Sequence, residues 1–287
     1  MYSNVLIPTD GSGGTHQAVQ HGLTIAQHFE STVHVLAVIE LAQVYADGPP
    51  DLHAKLEERA TDALEAVAKP AHDMGLRVRR QTRTGAPETE IIRYATENGI
   101  DLIVMGKHGR SRFHEFFVGS TTSRVLRKAS VPVLTARIGE PERRTSFENI
   151  LIATGGGPEA EGAIEHGLGL ADAFGGSIHA LYVLDPRVVQ TDALRGYFEE
   201  EGNRAIEAVS TRATRNGIQV HGEMREGNPP ERIIEYATQN GCDLIVLGAR
   251  RRGDDSRGFV GSVAERVVRA AQVPVLTVRD RSVEETA

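Results

Sequence analysis

The chain has 287 residues, 40% of them apolar and 25% charged, enough for at least one full core and, by length, for two domains. A formal charge of −7 lacks the basic excess that favours phosphate backbones or anionic membranes, so neither nucleic acid nor membrane is expected as a partner. A single cysteine, Cys242, excludes an intrachain disulfide framework and a cysteine-rich zinc site. The first residues lack the basic region and apolar run of a signal peptide, and no window reaches the roughly 18 apolar residues of a membrane span. The expected compartment is the cytoplasm.

In chain order, short apolar runs at Val5–Pro8, Val33–Ile39, Val78–Arg83, Leu102–Gly106 and Val131–Ala136 read as strands, and the stretches between them as helices. Ala18, Leu23, Ile25, Ala26 and Phe29 carry helical spacing between the first two runs, and Leu56, Ala60, Ala63, Leu64 and Val67 carry it between the next two. Pro87 suits the first turn of a third helix, and Val125, Leu126 and Ala129 belong to a fourth. The run Leu102–Val104 is continuously apolar, as in a strand buried on both faces.

The pattern is then written a second time. Asn4–Glu40 returns as Asn149–Asp185 with 14 identities in 37 positions, and Gly85–Arg137 returns as Gly227–Arg279 with more than half its residues unchanged. A repeat of about 140 residues is domain-sized. The polar segment Ile138–Ser146 reads as a linker, giving domains at 1–143 and 144–287. The expected fold class is α/β: two tandem, doubly wound, five-stranded parallel-sheet domains with four helices each.

The stretch that carries chemistry follows the fourth strand. Gly106-Lys-His-Gly109 is followed after nine residues by Gly119-Ser120-Thr121, which opens a helix. Glycines let the main chain approach a ligand closely, and the free N–H groups of a helix N-terminus attract phosphate; Ser120 and Thr121 add hydroxyls. The first strand ends in Pro8-Thr9-Asp10-Gly11-Ser12, which puts a carboxylate at the carboxyl end of a strand, where open α/β sheets bind ligands. Asp-Gly-Ser also suits a plain turn or helix cap.

On these residues the chain resembles the universal stress protein family, in its ATP-binding, tandem two-domain form, over almost its entire length. The family signature is Gly, two residues, Gly, nine residues, Gly, then Ser or Thr. Gly106, Gly109, Gly119 and Ser120 satisfy it at every spacing. The resemblance implies a Rossmann-like strand order of 3-2-1-4-5 and ATP, with Mg²⁺, as cofactor. It implies that Asp10 holds the ribose, that Pro8 and Thr9 line the adenosine site, and that Val38 meets adenine through its backbone. Met105 would sit beside base and ribose, and Gly106, Gly109, Gly119, Ser120 and Thr121 would hold the phosphates.

The second half departs from the signature. Gly155 stands for Asp10 and Arg251 for Gly109, while Gly248, Gly261 and Ser262 remain as a second, weaker site. Arg251 either blocks the close approach that glycine allowed or itself donates to a phosphate. His34 and His179 recur at equivalent strand positions and read as satisfied structural histidines, since no carboxylate or Cys cluster accompanies them at ligand spacing.

The expected role is therefore an ATP-binding stress-response sensor or adaptor, in which nucleotide held in the first half orders residues 107–118 with little or no hydrolysis. The alternatives are a slow ATPase or other nucleotide-dependent enzyme of a related fold, and a nucleotide-free dimerisation module. Expected partners are ATP and a protein of unknown identity. The resemblance adds an internal pseudo-dimer through the last strands, whose Val131-Pro-Val-Leu-Thr135 and Val273-Pro-Val-Leu-Thr277 are identical, and pairing of two chains into a homodimer.

Overall fold

The computed structural model describes residues 1–12, 15–40, 52–107, 118–137, 146–249 and 262–279, which fall in two units, Met1–Thr145 and Ser146–Ala287. In the first unit the apolar runs form β1 (Asn4–Thr9), β2 (Thr32–Glu40), β3 (Arg77–Gly85), β4 (Leu102–Gly106) and β5 (Val133–Ala136). Helices α1 (His16–His28), α2 (Leu52–Asp73), α3 (Pro87–Glu97) and α4 (Ser120–Lys128) alternate with them. The strands are parallel, in the order β3-β2-β1-β4-β5. Each helix is thus a crossover, and the strand order reverses between β1 and β4.

The second unit repeats this plan with β6 (Asn149–Ala153), β7 (Ser177–Leu184), β8 (Val220–Glu226), β9 (Leu244–Ala249) and β10 (Val275–Arg279). Its helices are α5 (Glu159–Phe174), α6 (Asp192–Arg215), α7 (Pro229–Gln239) and α8 (Ser262–Ala270). The order is β8-β7-β6-β9-β10, again parallel. Both units therefore have the expected α/β, doubly wound architecture. Among the described residues no helix is long and apolar enough to cross a membrane.

The central strands are the core. Val5, Leu6, Ile7, Leu102, Ile103 and Val104 are all fully buried, as are Ile150, Leu151, Ile152, Leu244, Ile245 and Val246, which fits strands covered by helices on both faces. Two boundaries differ by two residues from the sequence reading: β3 runs on to Gly85 where Arg83 was expected to end it, and β5 starts at Val133, two residues after the Val131 expected. Pro132 has no N–H to give a ladder, and only its carbonyl is used, accepting from the Ile103 N–H at 3.0 Å.

The paired histidines bind within their own domains. His34 Nδ1 lies 2.9 Å from the Tyr94 hydroxyl and His179 Nδ1 lies 3.0 Å from that of Tyr236. Arg83 and Arg225 stack over the same two tyrosine rings. Cys242 is buried, and burial pushes its thiol up to about 12, so it acts as a small apolar side chain.

His21, on the buried face of α1, is only 6% exposed, and burial lowers its pKa from 6.5 to about 4. A depressed histidine pKa means that the unfolded chain takes up the proton first. The neutral ring's contribution is therefore complete above pH 6.5 and is lost as the pH falls towards 4. Denaturant titrations should show a loss of about 3 kcal/mol from this group across that window. A His21→Leu chain should show a shallower acid limb.

Candidate functional site

The reversal of strand order puts the carboxyl ends of β1 and β4 side by side, in register from Val5↔Leu102 and Leu6↔Ile103. β1 pairs with β2 as far as Thr9↔Ala37, so Val38 lies one residue beyond the level of Thr9. Pro8, Thr9, Val38, Met105 and Gly106 thus gather at one edge of the sheet. Thr9, Met105 and Gly106 are buried and Val38 is half-buried.

Asp10 follows directly and is exposed. Its Oδ1 accepts from the Ser12 N–H at 2.9 Å, and Thr9 Oγ1 accepts from the Gly11 N–H at 3.2 Å. Gly11 has φ +71°, and a Cβ there would lie 3.1 Å from that of Ala63 in α2, so both backbone conformation and space call for glycine. The turn leaves Asp10 exposed, with one carboxylate oxygen bonded to its own backbone. Among the described residues Ser12 Oγ is enclosed and has no hydrogen-bond partner, a polar group beside the carboxylate.

Across the switch point, α4 presents its amino end. Gly119 precedes it with no side-chain cap among the described residues, and the first turn carries no acid, so the partial positive charge of that end suits an anion. Two bonds fix it to β4: the Gly119 N–H donates to the Lys107 carbonyl at 2.6 Å, and Thr122 Oγ1 donates to the Gly106 carbonyl at 2.9 Å. Ser120 is exposed and Thr121 half-buried. Gly109 and residues 108–117 lie outside the described residues.

A cleft of about 540 Å³ opens on the α2 side of the turn, lined by Asp10, Gly11, Ser12, Arg59, Asp62 and Ala63 among others. Among the described residues of the expected nucleotide set, Asp10 alone lines it. The others stand around the ends of β1, β2 and β4.

The second domain keeps the shape of this turn and carries different side chains on it. Thr154 Oγ1 accepts from the Gly156 N–H at 3.2 Å, and Gly156 has φ +75° with its would-be Cβ 3.3 Å from that of Ala205. The turn is therefore retained, but Gly155 has no carboxylate and Gly157 no hydroxyl. Superposing the Ala63 and Ala205 contacts puts Glu201 at the place of Arg59 and Arg204 at that of Asp62, and these two form an ion pair. Gly248 ends the equivalent run in β9, and Ser262 begins α8. The first turn of α8 carries Glu265, where α4 has Ser123. Gly261 and Arg251 lie outside the described residues.

Sequence reasoning passed over Lys107. It is 1% exposed, and burial, with the nearby Arg137 charge, lowers its pKa to about 7. A lysine closing an otherwise apolar strand inside the glycine motif was the available signal; the second domain has Ala249 there. A depressed lysine pKa means that stability falls as the pH drops from 10.5 towards 7, because the buried amine resists its proton. Lys107→Met should therefore stabilise the chain by several kcal/mol near pH 6 and by much less near pH 10, read by denaturant titration.

The family model for the universal stress protein family matches residues 1–137 and again 146–279. A universal stress protein of Mycolicibacterium smegmatis is 26% identical over 96% of this chain and 97% of its own length. Universal stress protein MJ0531 of Methanocaldococcus jannaschii is 32% identical over 48% of this chain and 83% of its own length. A crystal structure of a universal stress protein from Archaeoglobus fulgidus has the same fold, with a TM-score of 0.77 at 23% identity, covering 97% of this chain and 99% of that one. With both halves of the repeat matched, the chain belongs to the universal stress protein family and carries two tandem copies of its domain.

Proposed function

We propose that the first domain binds ATP and that the chain acts as a nucleotide-responsive sensor or adaptor in the stress response. The observation that carries this reading is the opposition of two features across the β1/β4 switch point. An exposed carboxylate stands on the fixed turn Thr9–Ser12, and an uncapped, acid-free helix end is bonded to β4 through Gly119 and Thr122. The carboxylate suits ribose hydroxyls and the helix end suits phosphate.

Within that reading, Asp10 accepts the ribose hydroxyl bonds while Pro8, Thr9, Val38 and Met105 enclose the adenosine. Gly106, Gly109, Gly119, Ser120 and Thr121 hold the phosphates with main-chain N–H groups and hydroxyls. The enclosed Ser12 hydroxyl, beside Asp10, fits a polar ligand of this kind. Bound Mg²⁺ would neutralise part of the phosphate charge. The second domain lacks the Asp10 carboxylate and carries Glu265, ion-paired with Arg269, in the first turn of the equivalent helix. An acid there opposes an anion, so its role in this reading is support or regulation through the weaker set Gly248, Gly261 and Ser262.

Calorimetric titration with ATP and Mg²⁺ tests the reading. Asp10→Ala, which removes the carboxylate that Gly155 also lacks, and Gly109→Arg, which copies Arg251, should each weaken binding about tenfold or more. Unchanged affinity in Asp10→Ala would remove the proposed ribose contact. A chain that does not bind ATP at all would end the reading.

A further inference from the structure

At their amino ends the two central strands are clamped alike in both domains. The Asp101 carboxylate accepts from the N–H groups of Ser3 at 2.8 Å and Asn4 at 2.9 Å. The Asp243 carboxylate accepts from those of Glu148 at 2.9 Å and Asn149 at 3.1 Å. Towards the carboxyl ends the domains differ. The β6–β9 ladder runs from Ile150↔Leu244 to Ala153↔Leu247, whereas the β1–β4 ladder stops at Leu6↔Ile103.

Successive residues of a strand turn their N–H groups to opposite neighbours. The Thr154 N–H goes to the Leu181 carbonyl of β7 at 3.0 Å, so the Ala153 N–H faces β9. The equivalent residue in β1 is Pro8, which has no N–H. On the facing strand, Ile103 and Lys107 send their N–H groups to Pro132 and Ala136, so the intervening Val104 turns its carbonyl to β1, opposite Pro8. One rung, from Ala153 to Val246, is present in the second domain and has no counterpart in the first. Pro8 itself stays in the sheet, since β1 pairs with β2 through Pro8↔Leu36 and Thr9↔Ala37.

We infer that Pro8 is a positioning residue of the nucleotide site: by deleting the last rung between β1 and β4 it lets the Asp10 turn and the Gly106 end part as the nucleotide enters, whereas Ala153 keeps the second domain latched. The inference rests on the ATP reading and deepens it. A contact role for Pro8 would depend on its ring; this role depends only on the missing N–H.

Full-length chains carrying either Pro8→Ala or the α-hydroxy analogue of alanine at position 8, installed by nonsense suppression, separate the two. Pro8→Ala restores the N–H and should weaken ATP binding about fivefold, the worth of one net backbone hydrogen bond. The analogue carries an ester oxygen in place of the N–H and, like alanine, has no ring, so it should bind ATP about fivefold more tightly than Pro8→Ala does. The amide at position 8 of Pro8→Ala should exchange slowly with deuterium before ATP is added. Equal weakening in both chains, no weakening in either, or a fast-exchanging amide at position 8 would each overturn the inference while leaving the ATP reading in place. Failure of the unchanged chain to bind ATP would instead overturn the reading on which it rests.

Discussion

The proposed site depends on a constraint of parallel sheets: a strand order that reverses must leave two adjacent strands whose following segments turn to opposite faces, opening a crevice at their carboxyl ends. In the first domain those strands are β1 and β4. Their buried apolar runs hold the middle of the sheet in place, so the crevice lies beyond a packed core. What occupies it is then set by a few residues just past the strand ends: Asp10 and Ser12 on one side, and the amino end of α4 on the other.

The repeat makes each domain a control for the other. Both preserve the parts that shape the edge, down to the Thr9 and Thr154 hydroxyls that accept from the Gly11 and Gly156 N–H groups. They differ in charge and hydrogen-bonding capacity. Asp10 becomes Gly155, Ser12 becomes Gly157, and an acid-free helix start acquires Glu265. On the neighbouring helix, Arg59 and Asp62 line a cleft without an ion pair among the described residues, while Glu201 and Arg204 at the same places neutralise each other. The geometry is alike and the charged and hydrogen-bonding groups differ, which fits the proposal that one copy binds nucleotide and the other supports it.

Much of this was legible in the sequence because it is periodic or repeated. The alternation of apolar runs and helical spacing gave the α/β class, and each strand's place followed from runs such as Leu102–Val104, which admit little but a doubly covered strand. The histidine readings held because a ring without ligand-spaced neighbours needs only a hydroxyl, which Tyr94 and Tyr236 supply. Features set by three-dimensional environment were not legible. Lys107 reads as an ordinary surface lysine until burial shows its amine resisting charge. The significance of Pro8 emerges only from which neighbour its missing N–H would face, a matter of ladder parity. Ser12 reads as a turn residue until its enclosed hydroxyl is found to have no partner among the described residues. The late start of β5 has the same origin, since Pro132 breaks a ladder that its apolar neighbours would otherwise extend.

The central claim is that the shape of the site is present twice and its chemistry once. Native mass spectrometry of the intact chain titrated with ATP and Mg²⁺ tests this most directly, because it counts bound nucleotide per molecule. The account predicts that occupancy saturates at one ATP per chain. Saturation at two would contradict the assignment of the second domain as degenerate, and a chain that stays unliganded throughout would contradict the nucleotide site itself.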